Sequence, residues 1–156
     1  AVTKSETMQT IRDIVKSDPS AIWLTVDLGY PGTNIPAMAG ADCFNTTQTY
    51  PQKERWTMLD ESGEYEDFYN RYCHIGATLG SETSFELLNT DYVNVTLSPE
   101  KFKELKIKYV VSRNSIDEKI VSGTVFGENQ SSLPNGGIEF KKCYSGAELS
   151  IYECIY

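Results

Sequence analysis

The sequence has a single histidine, no C-x-x-C pair and no excess of basic residues. Each shortage closes a class of function. His74 is the only imidazole, and Cys43, Cys73, Cys143 and Cys154 are far apart, so the ligand spacing of a structural zinc site is missing. A formal net charge of −8 at pH 7 opposes nucleic acid, whose affinity comes from Lys and Arg neutralising phosphates. No stretch approaches the ~18 consecutive apolar residues of a membrane span. G-x-G-x-x-G, the P-loop, G-x-S-x-G and H-E-x-x-H are absent too. A Ser-His-Asp triad would have to use His74, and no serine stands out as its partner.

What is present describes an acidic globular chain. Its 156 residues are 40% hydrophobic and 12% aromatic, which argues against disorder. A chain of this size buries about 68–70% of its unfolded surface, enough for one domain without metal or disulfide staples. The four cysteines leave two readings open, two disulfides in an oxidising compartment or buried free thiols. A tight turn at Ser145-Gly146 would set Cys143 opposite Glu148, so a Cys143–Cys154 bridge would need another register. N-x-S/T sequons stand at Asn45, Asn94 and Asn129, few enough to be a weak sign of a secretory route.

Along the chain, Thr3 and Glu6 fit a capping box, and Met8, Ile11, Ile14 and Val15 repeat at helical spacing up to Pro19. Residues 21–27 (AIWLTVD) predict a buried strand. A long loop of little periodicity follows from Gly29 to Pro51, the kind that often carries function. Residues 64–79 predict a helix. On it Tyr65, Phe68, Tyr69 and Tyr72 make an aromatic stripe, and Asp67, Asn70, Arg71 and His74 make a polar one. Residues 84–88 and 91–97 predict strands, Ser98-Pro99-Glu100 starts a helix, and 107–112 is the next strand. Residues 120–126 predict a further strand, Asn135-Gly136-Gly137 a turn, and 137–155 a hairpin about Ser145-Gly146. The expected fold class is α/β. It is a mixed β-sheet flanked by helices, a layered sandwich that is Rossmann-like in part, closed by a C-terminal β-hairpin.

The order of certain short words points further. After the 21–27 strand come PGTNIPAMAG, NTTQTYPQKERWTMLD, YEDFYNRYCHIG and LSPEKFKELKIKYVVS. This order resembles the C-terminal extracytoplasmic region of large bacterial polytopic membrane proteins. Those are glycosyltransferase-like proteins that use lipid-linked sugars, the multi-span class that includes oligosaccharyltransferase catalytic subunits. The matching positions are Asn34, Pro36 and Gly40; Tyr50 and Pro51; Trp56, Leu59 and Asp60; Tyr69 to Ile75; and Leu105 to Val111. Cys73 departs from the pattern, where a small residue such as Ala is expected. The resemblance covers residues 21–112 and implies that residues 1–156 form one extracytoplasmic domain of a longer protein. It further implies that the catalytic acids and metal site lie upstream, with no cofactor in this domain.

On that reading the domain sits on the outer face of a bacterial cell membrane and does no chemistry of its own. Its partners would be the transmembrane part of its own chain and a glycan or lipid-linked sugar. Asn34, Arg55, Trp56, Asn70, Arg71 and His74 would hold the ligand. Arg71 can offer bidentate hydrogen bonds to phosphate or carboxylate, Asn amides meet hydroxyls as donor and acceptor, and Trp56 or a tyrosine could stack on a sugar face. Two alternatives come from other classes. One is a free-standing secreted hydrolase using His74 and the acidic cluster Asp60, Glu61, Glu64, Glu66 and Asp67. The other is a pure protein-interaction module that would expose a large apolar patch.

Overall fold

The computed structural model describes residues 2–48, 52–128 and 133–156, with side chains from Glu6 onward. The chain folds around a five-stranded mixed sheet of order β2-β1-β6-β8-β7. Its strands are β1 (Ile22–Val26), β2 (Asp42–Cys43), β6 (Ile107–Arg113), β7 (Glu139–Ser145) and β8 (Leu149–Ile155). Strand β1 pairs in parallel with β2 and β6, whereas β8 pairs antiparallel with β6 and β7. A second sheet of order β3-β5-β4 is built from β3 (His74–Leu79), β4 (Ser84–Asn89) and β5 (Tyr92–Leu97).

The apolar residues explain the layering. β1 is covered on both faces, so Trp23 and Leu24 are both 0% exposed. Trp23 joins Ile11 of α1 (Val2–Ser17), Tyr109, Val111 and Ile151 in one cluster. The helix therefore closes one face of the large sheet with the stripe its spacing predicted. Leu24 and Val26 join Ile75, Ala77, Val93, Val95, Phe102 and Val110 in a second cluster, between the two sheets. Alternation in β5 is strict, with Val93, Val95 and Leu97 inward and Tyr92, Asn94 and Thr96 half-buried. The small sheet thus has one apolar face and one polar face. Each buried aliphatic side chain contributes roughly 1.5–3 kcal/mol. The α/β class, the mixed sheet flanked by helices and the C-terminal hairpin are all present.

Several local expectations are corrected. The predicted helix over 64–79 is only α4 (Glu66–Tyr69), and β3 begins at His74. Strand pairing with β5 buries Ile75 and Ala77 against Val93 and Val95. Continued helix would have wasted that partner, and Gly76 with β-branched Ile75 and Thr78 lowers helix propensity. Residues 120–126 do not form a strand. Asp117–Ser122 is helix α6, with Asp117 and Glu118 in its first turn and Gly123 at φ +74 closing it. The strand–helix–strand run β5, α5 (Pro99–Glu104), β6 links the two sheets instead of crossing over within one. Ser98 does cap α5, its hydroxyl accepting from the Lys101 amide at 3.3 Å. In the hairpin, Ser145 pairs with Ser150 and the register shifts at Cys143. The loop is therefore longer than the tight turn expected, and Cys143 does not face Glu148. All four cysteines are unpaired. Burial pushes the Cys43 thiol up to about 12. The Thr3 capping side chain, Tyr50, Pro51 and the Asn129 sequon lie outside the described residues.

Candidate functional site

Three segments meet at the start of β3. The His74 amide donates to the Asp91 carbonyl at 2.7 Å, which starts the parallel pairing of His74 with Tyr92. Gln48 and Cys73 form an isolated antiparallel bridge, so the loop after β2 lies alongside. The loop leaving β1 is tied at Asp27, whose amide donates to the Ala77 carbonyl at 2.9 Å. Asp27 has φ +56, a left-handed conformation that Asp tolerates better than most residues. That loop carries Tyr30 onto the imidazole, with ring centroids 4.0 Å apart and planes 35° off parallel. Tyr72 meets the same ring edge-on at 5.6 Å. Tyr30 and Tyr72 remain 53% and 52% exposed, so about half of each ring stays open to a ligand.

A hydrogen-bond chain fixes the histidine from below. Asn34 Oδ1 accepts from the Thr47 amide at 2.8 Å and from Thr46 Oγ1 at 3.0 Å. Asn34 Nδ2 donates to Thr47 Oγ1 at 3.0 Å. Thr47 Oγ1 lies 2.8 Å from His74 Nδ1 and 3.3 Å from Asn34 Oδ1. Thr47 Oγ1 and His74 Nδ1 therefore share a hydrogen bond whose donor is set by the imidazole tautomer. Nε2 has no hydrogen-bond partner among the described residues, and its ring lies between two tyrosines.

The polar row continues along the outer face of the small sheet. Tyr92, Asn94 and Thr96 of β5 pair with His74, Gly76 and Thr78 of β3. A methyl group on Gly76 would come within 2.8 Å of Asn94 Oδ1 and 2.9 Å of the Tyr92 hydroxyl. Glycine there lets both side chains lie across the strand.

The structure brings Asn34 and His74 together through Thr47 and separates them from the other expected ligand residues. Trp56, on α3 (Lys53–Leu59), is 2% exposed and belongs to the core. It stacks on Tyr69 at 4.4 Å with planes 2° apart, and its Nε1 donates to Gln48 Oε1 at 3.0 Å. Its ring faces are occupied by protein, so it offers no sugar platform. Arg55 pairs through Nη2 with Asp42 at 2.7 Å. Arg71 donates from Nη2 to the Asp67 carbonyl and from Nη1 to the Thr90 carbonyl at 3.5 Å. Asn70 follows α4 and lines a separate cavity of about 350 Å³ with Lys53, Asp60, Glu61 and Glu66.

That cavity contains part of the acidic cluster but not His74. The Asp60 carboxylate is only 7% exposed. Its Oδ2 accepts from the Tyr65 amide at 2.9 Å and the Tyr69 hydroxyl at 3.0 Å. Burial, then this bond to Asp60, pushes Tyr69 up to about 12. Asp60 thus holds the entry to α4. The Asn45 sequon is closed as well. Asn45 is 0% exposed and bonds the Thr25 amide, carbonyl and hydroxyl, acting as a side-chain neighbour to β1.

Sequence reasoning missed Tyr30 and Thr47 and put Tyr72 on the wrong element. The only local signal was their place in a long aperiodic loop and next to the histidine.

Among known families, the model of a domain of unknown function (DUF7654) matches residues 1–156. No curated protein and no solved structure matches the chain.

Proposed function

We propose that this chain, which belongs to the DUF7654 family, is a ligand-holding extracytoplasmic domain of a multi-span, glycosyltransferase-like membrane protein of cell-envelope glycan assembly. It holds a glycan or lipid-linked sugar phosphate and leaves bond-making to other parts of the protein. The ordered words from Asn34 to Val111 support its place in such a protein. One structural observation supports the ligand role. His74 is oriented from behind by Asn34 and Thr47 and flanked in front by two half-exposed tyrosines. Aromatic faces beside a fixed polar group are what a ring with an apolar face and hydroxyl edges needs. The described residues contain no helix long and apolar enough to cross a membrane, so on this reading the anchor belongs to another part of the gene product.

Two measurements test the reading. The complete reading frame is expected to encode about ten hydrophobic stretches of ~20 residues upstream of this domain. A reading frame without them removes the membrane assignment. NMR titration of the domain with sugars and phosphates at millimolar concentration is expected to move Asn34 and His74. No movement with any of them removes the ligand site.

A further inference from the structure

We propose that the His74 cleft selects an uncharged oligosaccharide segment and rejects the phosphate group. This rests on the ligand-site reading above and narrows it.

The donors decide the class. Phosphate is held by guanidinium forks, ammonium groups or several converging amides. Arg71 hydrogen-bonds the backbone carbonyls of Asp67 and Thr90, the latter at 3.5 Å, so a phosphate would compete with those bonds for its guanidinium. Arg55 pairs through Nη2 with Asp42, and its Nη1 is buried without a hydrogen-bond partner among the described residues, so neither nitrogen opens to solvent as a phosphate fork. His74 has Nδ1 engaged by Thr47 and leaves a single ring nitrogen, Nε2, to a ligand. Asp27 and Asp91, both exposed, stand on the two segments that border β3, and the whole chain carries −8. An anion therefore meets like charge on approach. The open faces of Tyr30 and Tyr72 offer apolar contact that a phosphate cannot use and that the C–H face of a pyranose can.

The same surface fixes a minimum length. Gly76 and Thr78 follow His74 along β3 at two-residue steps, and Tyr92, Asn94 and Thr96 of β5 pair with the three in turn. A two-residue step is about 6.6 Å, so Asn94 and Thr78 lie one and two such steps beyond His74, farther than a single pyranose ring extends. Asn94 Nδ2 reaches Thr78 Oγ1 at only 3.4 Å, a weak bond that a ligand hydroxyl can replace. His74 with Tyr30, Tyr72 and Tyr92 forms one contact zone, and Asn94 with Thr78 forms a second.

The test is titration of the 156-residue chain with chitotriose, maltotriose, the corresponding monosaccharides and inorganic phosphate, each to ~10 mM, followed by amide and imidazole NMR. A Kd near 1 mM, about −4.1 kcal/mol, would nearly saturate under these conditions. We expect at least one triose to move His74, Tyr30 and Asn94 together, to bind at least several-fold tighter than its monosaccharide, and phosphate to move none of them. Tyr30→Ala is expected to weaken binding about tenfold with an unchanged fold by amide dispersion. If phosphate moves His74 and the trioses do not, the inference is overturned while the ligand-site reading stands. If neither moves His74, both fail. Equal affinity for monosaccharide and triose overturns the two-zone length.

Discussion

Asp117 makes a contribution to stability that a pH titration should show. Its carboxyl is held below the usual carboxylate range by hydrogen bonds from Lys142 first and Tyr152 second. The Lys142 contact is 2.6 Å with both side chains 38% exposed, so water screens it and its share is small. The Tyr152 side is buried, with Tyr152 at 2% exposure and its hydroxyl donating to Asp117 Oδ1. A carboxyl lowered in the folded state stabilises above its unfolded value near 4, and that contribution fades as pH falls through the depressed value. Asp117→Asn should therefore lower the urea midpoint at pH 6, and the gap to the parent should close by about pH 2. A gap that stays constant with pH would contradict this account. Tyr152→Phe should remove about 1–2 kcal/mol without changing the ring packing.

Elements succeed or fail on partners as much as on periodicity. Residues 64–79 satisfied helical spacing in two stripes, yet the chain leaves the helix after Tyr69, because β5 offers β3 a complete parallel ladder. Where a local rule needed no distant partner, it held. Ser98 caps α5, and Asn135-Gly136-Gly137 turns with φ values of +52, +62 and +80. Gly136 is the strictest case. A Cβ there would sit 2.5 Å from Pro99 Cβ, a rigid ring that cannot rotate away, in a left-handed conformation besides. Gly136→Ala should cost about 2–5 kcal/mol from backbone strain and overpacking together. Gly29→Ala has nothing within 4 Å and should leave stability within about 0.5 kcal/mol. Thermal unfolding of the two variants side by side checks both, and equal shifts would remove the explanation.

At the scale of the molecule, the cluster between the two sheets unites them. Phe102 is 0% exposed and meets Phe126 at 5.7 Å and Phe140 at 6.0 Å. It joins the helix between β5 and β6 to the C-terminal hairpin. Phe102→Ala should cost about 3–5 kcal/mol and should unfold both sheets in one transition. Separate transitions for tryptophan fluorescence and far-UV dichroism would show that the sheets fold independently. Surface apolar groups are scattered over several elements, with Leu87 and Leu88 adjacent on β4. The same layering sets the cleft. The loop from β1, the loop after β2 and the start of β3 converge only because β1 of one sheet lies against β3 of the other, joined by the Asp27–Ala77 hydrogen bond.

The sequence by itself determined the class of the fold, the amphipathic α1, the strands at β1, β5 and β6, the cap of α5 and the final hairpin. Each rests on contacts within a few residues or on a periodicity that one buried face imposes. Tertiary structure decided that β3 is a strand, that Trp56 is core, that Arg55 pairs with Asp42 and that Tyr30 reaches His74. Those outcomes depend on which distant partner satisfies a hydrogen bond or covers a ring, and separation along a chain does not encode proximity in space.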